Sequence, residues 1–286
     1  MSEQKYKFLS TPRRPVEDRR FVAGRGKFIA DLDRPNMLHV APLASHYAAA
    51  VINGIDASAA LAMPGVVDVI TGAELAAAVE PLMNGLNTPN VRRFPLAVDR
   101  VRYAGEWVCA VVAESRALAE DALEKIIVDA TPQPFILDAE VALLVTSVPV
   151  HPEHGSNLLL DRKFVWGPVD DDFDAAAHSL SFSVTWGRNS TVPIETFGVL
   201  AEWNGWDQML DIWASIQMPK YADQIARSLD LPGNAIRVHY DVDVGGSYGV
   251  KRGIKHSVLV GYIARKLGCP VRLIEDRLEN MRAGDA

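Results

Sequence analysis

The sequence predicts an α+β fold in two units, on three observations. Short apolar runs of strand type interleave with short helical patterns along the chain. Trp107-Val-Cys-Ala-Val-Val-Ala113 is a continuous apolar run, suited to a strand buried on both faces. A proline-bearing stretch without sustained period, 131–157, then separates a first unit of roughly 110 residues from a second of about 130, both ordinary domain sizes.

The elements follow in order. Residues 1–18, with Arg and Pro and little apolar pattern, read as an extended arm. Met37 to Leu43 and Ala49 to Asp56 read as strands, with Asp56 able to cap a short Ala-rich helix that Pro64-Gly65 stops. Val66 to Thr71 alternates as a strand, and Glu80 to Arg93, with its Asn, Gly and Pro residues, reads as a long exposed loop. Ser115 can cap a helix to about Lys125, followed by a strand from Ile126, while Leu137 to Leu144 adds a short helix within the connection.

In the second unit Leu180-Ser-Phe-Ser-Val-Thr-Trp186 alternates strictly, predicting a half-exposed strand behind the acidic patch Asp170 to Asp174. Val199 to Trp203 and Met209 to Ser215 are further strands. Pro219 opens a helix stopped by Pro232-Gly233. Ile236 to Val244 alternates as a strand, a glycine turn breaks it, and an apolar helix runs from about Gly253 to Leu267, closed by Gly268. Val271 to Asp276 is one more strand.

Composition places the chain among ordinary globular proteins. Of 286 residues 49% are hydrophobic and 23% charged, which excludes disordered and low-complexity classes. A formal charge of -7 without a basic face makes nucleic acid a poor partner. No uncharged apolar run approaches the ~18–20 residues that span a bilayer, and the N-terminus lacks a signal-type apolar region, so a cytoplasmic location is expected. The two cysteines, Cys109 and Cys269, lie in apolar surroundings and read as buried thiols; they cannot build a disulfide framework or a four-cysteine cluster. The Trp residues fall mostly within strands, which points to core packing.

Three places carry chemistry. Gly245-Gly-Ser-Tyr-Gly-Val-Lys251 joins a strand to a helix start, an arrangement whose backbone N–H groups can cradle an anion, with Lys251 adding a point charge. It is neither the dinucleotide fingerprint nor a Walker loop, and glycines there can equally be structural. Gln217 sits at a strand-to-helix edge, where side chains commonly line a cleft; a solvated loop glutamine is the alternative. Glu195, in Val192-Pro-Ile-Glu-Thr-Phe-Gly, has an apolar approach that would raise its pKa if buried, against the alternative of a salt-bridged structural carboxylate. His151 and His154 are three apart, but Pro152 and the connecting segment argue against a metal site.

Taken together, Arg14-Pro-Val-Glu-Asp-Arg-Arg-Phe-Val-Ala-Gly-Arg-Gly, Val101-Arg-Tyr-Ala-Gly-Glu-Trp-Val-Cys-Ala-Val-Val-Ala-Glu, Pro193-Ile-Glu-Thr, Ser215-Ile-Gln-Met-Pro and Asp243-Val-Gly-Gly-Ser-Tyr-Gly-Val-Lys resemble, in order, the molybdenum-binding large subunit of the xanthine dehydrogenase/aldehyde oxidase family. The resemblance implies an arm (1–18), an a/b hammerhead domain (19–131), a linker (132–157) and the first part of a molybdopterin-binding α/β domain (158–286). It implies that Gln217 hydrogen-bonds a molybdenum oxo ligand. Gly245, Gly246, Ser247, Tyr248 and Gly249 would bind a molybdopterin cytosine dinucleotide, with Ser247 standing for a usual Gly and Tyr248 for a usual Phe.

The implied activity is oxidation of an aldehyde or N-heteroaromatic substrate with water as oxygen source, electrons leaving through [2Fe-2S] clusters to FAD on other subunits. The family's large subunit continues well beyond this length and carries its catalytic base there, so a split subunit is expected, its cofactor shared with a second molybdopterin chain. A non-catalytic subunit that keeps the fold without the cofactor is the alternative.

Overall fold

The computed structural model describes residues 12–83, 91–144, 146–187 and 191–283. Most of the predicted arm and the 84–90 part of the predicted loop lie outside them. Helix α1 (Asp18–Val22) opens the described chain. The first unit then contributes β1 (Leu38–Ala44), β2 (Ala50–Asp56), α2 (Ser58–Leu61), β3 (Val66–Thr71), α3 (Gly72–Ala78), β4 (Arg100–Val101), β5 (Trp107–Ala113), α4 (Arg116–Leu123) and β6 (Ile127–Pro132). The expected Ser115 cap forms, its Oγ accepting the Leu118 N–H at 3.2 Å, whereas the N-cap of α2 is Ala57 and Asp56, one residue before it, accepts the Ser58 N–H at 2.9 Å. Helix α3 has no sequence-level prediction; its start is held by Thr71 Oγ1, which accepts the Glu74 N–H at 3.2 Å.

Beyond the short helices α5 (Ala139–Ala142) and α6 (Val169–Ala175) come β7 (Gly198–Asn204), β8 (Met209–Ala214), α7 (Tyr221–Ser228), β9 (Ile236–His239), α8 (Ile254–Leu267), β10 (Val271–Ile274) and α9 (Arg277–Ala283). The strand predicted over Ile236 to Val244 therefore ends at His239. Asp241 and Asp243 turn instead toward cations: Lys27 Nζ lies 2.6 Å from Asp241 Oδ2, and Arg20 bonds both oxygens of Asp243.

Two sheets form. The smaller is antiparallel, in the order β4-β2-β6, while the larger has seven strands ordered β3-β5-β1-β10-β7-β8-β9. Its centre is a parallel pair, β1 with β10, in which Leu38 faces Val271. One sheet therefore runs through both predicted units. Burial of β5 along its whole length matches its continuous apolar sequence. Helix α8 packs against β7, β8 and β10, and ten of its fourteen residues are buried, the pattern of a helix enclosed on most sides. Leu259 and Val260 are fully enclosed there, and truncating such a leucine to alanine costs about 2–5 kcal/mol.

Three expectations need correction. Residues 180–186 form no strand and lie exposed, because alternation prepares a strand but only a neighbouring edge completes it. Trp107 and Trp213 are core residues, yet Trp166, Trp186 and Trp206 are exposed. Cys109 is buried, its thiol pushed up to about 12 by burial, whereas Cys269 is only half-buried. Among the described residues no helix is long and apolar enough to cross a membrane.

Candidate functional site

Three segments from different parts of the sequence meet at one end of the neighbouring strands β7, β8 and β9 of the large sheet. The approach to β7 carries Glu195, the exit of β8 carries Gln217, and the connection from β9 to α8 carries the glycine turn. Backbone hydrogen bonds lace them: the Glu195 N–H donates to Gly245 O at 3.3 Å, and the Gln217 N–H donates to Lys251 O at 3.2 Å. The segment around Glu195 is itself anchored from α9, where the Arg277 guanidinium donates to Pro193 O at 2.5 Å and Ile194 O at 2.9 Å.

Glu195 is the pin of the turn. Its Oε2 accepts the Gly245 N–H at 2.7 Å and the Lys251 ammonium at 2.5 Å. Lys251 is fully buried, and burial holds its pKa below the usual lysine value against the pull of Glu195. This corrects the expected role of Lys251: its charge is neutralised inside the fold rather than offered to a ligand. It also decides for Glu195 in favour of the structural, salt-bridged alternative.

The glycines have individual reasons. A Cβ on Gly245 would sit 2.5 Å from the Glu195 Cβ, so the close approach that permits the Glu195 bond needs glycine. Gly246 has φ +92, and the Tyr248 ring folds back over it. Gly249, at φ +111, has nothing within 4 Å of the position a Cβ would take. Ser247 Oγ is buried and, among the described residues, has no hydrogen-bond partner. The turn thus presents an open approach at Gly249 with an orphaned hydroxyl beside it, whereas α8 starts only at Ile254, so the turn amides rather than the helix end form the cradle.

Gln217 and Tyr248 are exposed beside this cradle, free to meet a ligand. Behind the turn lies a buried polar cluster that the sequence reading missed. His256 Nε2 is 2.6 Å from Glu275 Oε1, and Asn280 Nδ2 donates to Glu275 Oε2 at 2.8 Å. His256 and Asn280 hold Glu275 in its charged form despite burial, with its carboxyl below the usual value. A cavity of about 650 Å³ lies elsewhere, beside β2, β4 and the 133–150 connection. His151 bonds Glu153, and His154 faces the Leu158 carbonyl, so the two rings serve separate local contacts.

Two domain families match the chain in succession. Residues 23–134 match the a/b hammerhead domain of aldehyde oxidase and xanthine dehydrogenase, and residues 150–285 match the molybdopterin cofactor-binding domain. The chain belongs to the aldehyde oxidase and xanthine dehydrogenase family. It corresponds to the N-terminal part of the large subunit. It is 35% identical to the nicotine 6-hydroxylase large subunit of Paenarthrobacter nicotinovorans, over 94% of this chain and 33% of that one. It is 30% identical to the carbon monoxide dehydrogenase large chain of Afipia carboxidovorans, over 97% of this chain and 36% of the relative. Quinoline 2-oxidoreductase from Pseudomonas putida 86 superposes with a TM-score of 0.83 at 34% identity, over 96% of this chain and 36% of its own. The chain spans about a third of the length of these relatives.

Proposed function

We propose that this chain is a molybdopterin-binding part of a molybdenum-dependent hydroxylase or dehydrogenase, and that the Gly245–Gly249 turn with Gln217 is its share of the active site. The observation that carries this reading is the turn itself: open at Gly249, supplied with the unpartnered Ser247 hydroxyl, and held from behind by a neutralised Glu195–Lys251 pair. These residues fit a pterin dinucleotide, whose phosphate and carbonyl oxygens accept hydrogen bonds.

When bound, the molybdenum cofactor supplies a two-electron redox centre for hydroxylating an aldehyde or N-heteroaromatic carbon with water as oxygen source. The chain's own residues position. The Gln217 carboxamide would donate a hydrogen bond to the molybdenum centre, the amides of Ser247 to Gly249 would hold the pterin end, and the Tyr248 ring would wall one side. Lys251 and Glu195 keep these donors in place without competing for the ligand.

Glu195 is not the base, since its Oε2 is already engaged by two donors. The base, the remaining dinucleotide contacts and the substrate pocket belong to polypeptide matching the rest of the relatives' length. In this reading the [2Fe-2S] clusters and FAD are carried by other subunits; for the clusters, the two cysteines of these 286 residues cannot supply four thiolates. The test is elemental and pterin analysis of the assembled complex purified through this chain. Stoichiometric molybdenum and a cytidine dinucleotide are expected, and an active complex free of both overturns the reading.

A further inference from the structure

Thirty consecutive residues, 158–187, are exposed. Within them Phe164 and Trp166 stack at 5.8 Å with both rings open to solvent. The most ordered part of the pattern is Leu180-Ser-Phe-Ser-Val-Thr-Trp186. Leu180, Phe182, Val184 and Trp186 are 84%, 76%, 74% and 83% exposed, and in an extended chain all four share one face. Ser181, Ser183 and Thr185 take the other. The segment holds no proline, glycine or charge, so nothing in it opposes a ladder. Among the described residues no backbone–backbone hydrogen bond involves 177–187. Phe182 and Trp186 alone offer about 300–500 Å² of apolar surface, at the upper end of what a monomer leaves open.

We propose that residues 180–186 are a strand awaiting its partner, completed by β-addition to a sheet edge of the polypeptide that corresponds to the remaining two thirds of the relatives' large subunit. The inference rests on the reading above and names where that polypeptide attaches. Two observations select this occupant. The relatives carry about twice this chain's length beyond the matched part. The flanking helix α6 carries Asp170, Asp171, Asp172 and Asp174, all exposed, which repel a second copy in self-pairing and favour an edge rimmed by Lys or Arg. The four apolar side chains then fill the partner's surface while main-chain bonds fix the register.

The test compares amide hydrogen exchange in the 286-residue chain alone and in the assembled complex purified through it. Amides 181–186 should exchange freely in the chain alone and at least about 100-fold more slowly in the complex. Phe182→Asp with Val184→Asp should weaken assembly at least about tenfold, and Ser181→Asp with Ser183→Asp less than about threefold. Both pairs should leave the melting temperature of the isolated chain unchanged, which separates assembly from folding. Unprotected amides in the complex, equal effects from the two faces, or protection in a homodimer of the isolated chain would each overturn the inference. Molybdenum content of the same preparations reads the cofactor proposal separately: a loaded complex with an unprotected segment sinks only the strand, and a metal-free complex with a protected one sinks only the cofactor.

Discussion

Lys251, without solvent exposure, donates to Glu195 at 2.5 Å across 56 residues of sequence, and the same carboxylate oxygen takes the Gly245 N–H. One carboxylate therefore closes the glycine turn at both ends. Removing a single member of a buried ion pair leaves an uncompensated charge, which costs more than the pair contributes.

Glu195→Ala should accordingly destabilise the isolated chain by about 3 kcal/mol in urea unfolding. Adding Lys251→Met should recover more than half of that loss. A single-variant cost below about 1 kcal/mol, or additive losses in the double variant, would show that the pair does not hold the turn.

Gln217→Ala removes an exposed side chain that the fold does not use. Its melting temperature should shift by less than about 1 °C, while turnover of the loaded complex falls about 100-fold, the usual cost of one lost donor at a reacting centre. Unchanged turnover at full molybdenum occupancy would remove Gln217 from the site and favour a non-catalytic role.

The two ends of the glycine turn should respond differently. Gly245→Ala forces a Cβ against Glu195 and should lower the melting temperature by several degrees. Gly249→Ala meets open space, so its cost in the isolated chain is confined to backbone strain of about 1–2 kcal/mol. Pterin content of the complex should nevertheless fall in Gly249→Ala, because the methyl group enters the proposed cofactor's approach. Full pterin occupancy in this variant would place the cofactor elsewhere.

Burial raises the Glu279 carboxyl to about 7 from about 4.5, with Asp276 and Glu275 adding repulsion. The folded state holds this proton more tightly than the unfolded one. Stability from it is therefore fully present below pH 4.5, declines between 4.5 and 7, and is absent above. Glu279→Gln cannot ionise and keeps an oxygen for the Asp276 N–H, which now reaches Glu279 Oε2 at 2.7 Å. It should stabilise the chain by about 2 kcal/mol at pH 8 and by little at pH 4.5. Equal effects at the two pH values would show that Glu279 does not titrate in this range.

Much of this was legible locally. The apolar run of β5, the Ser115 cap and the Gly268 stop of α8 are short-range signals, and each marks its element within one or two residues. Helix α3 escaped because Gly72-Ala-Glu-Leu-Ala-Ala-Ala carries Leu75 as its one large apolar residue and so shows no period. The glycine turn and Gln217 stood out by residue type and setting. The fate of Lys251 did not, because a lysine is ordinarily solvated and its partner is remote in sequence. For 180–186, alternation shows which side chains share a face but not whether an edge lies within reach.

The parallel pairing of β1 with β10 also bears on synthesis. Leu38 must wait for Val271, about 230 residues later, before its side of the ladder can close. While the chain is being made, β1 and β7 each expose an edge that only β10 can occupy. A nascent chain that has not yet reached that strand leaves both edges open to misassociation, a hazard set by the order of the strands in sequence rather than by the strength of the final contacts.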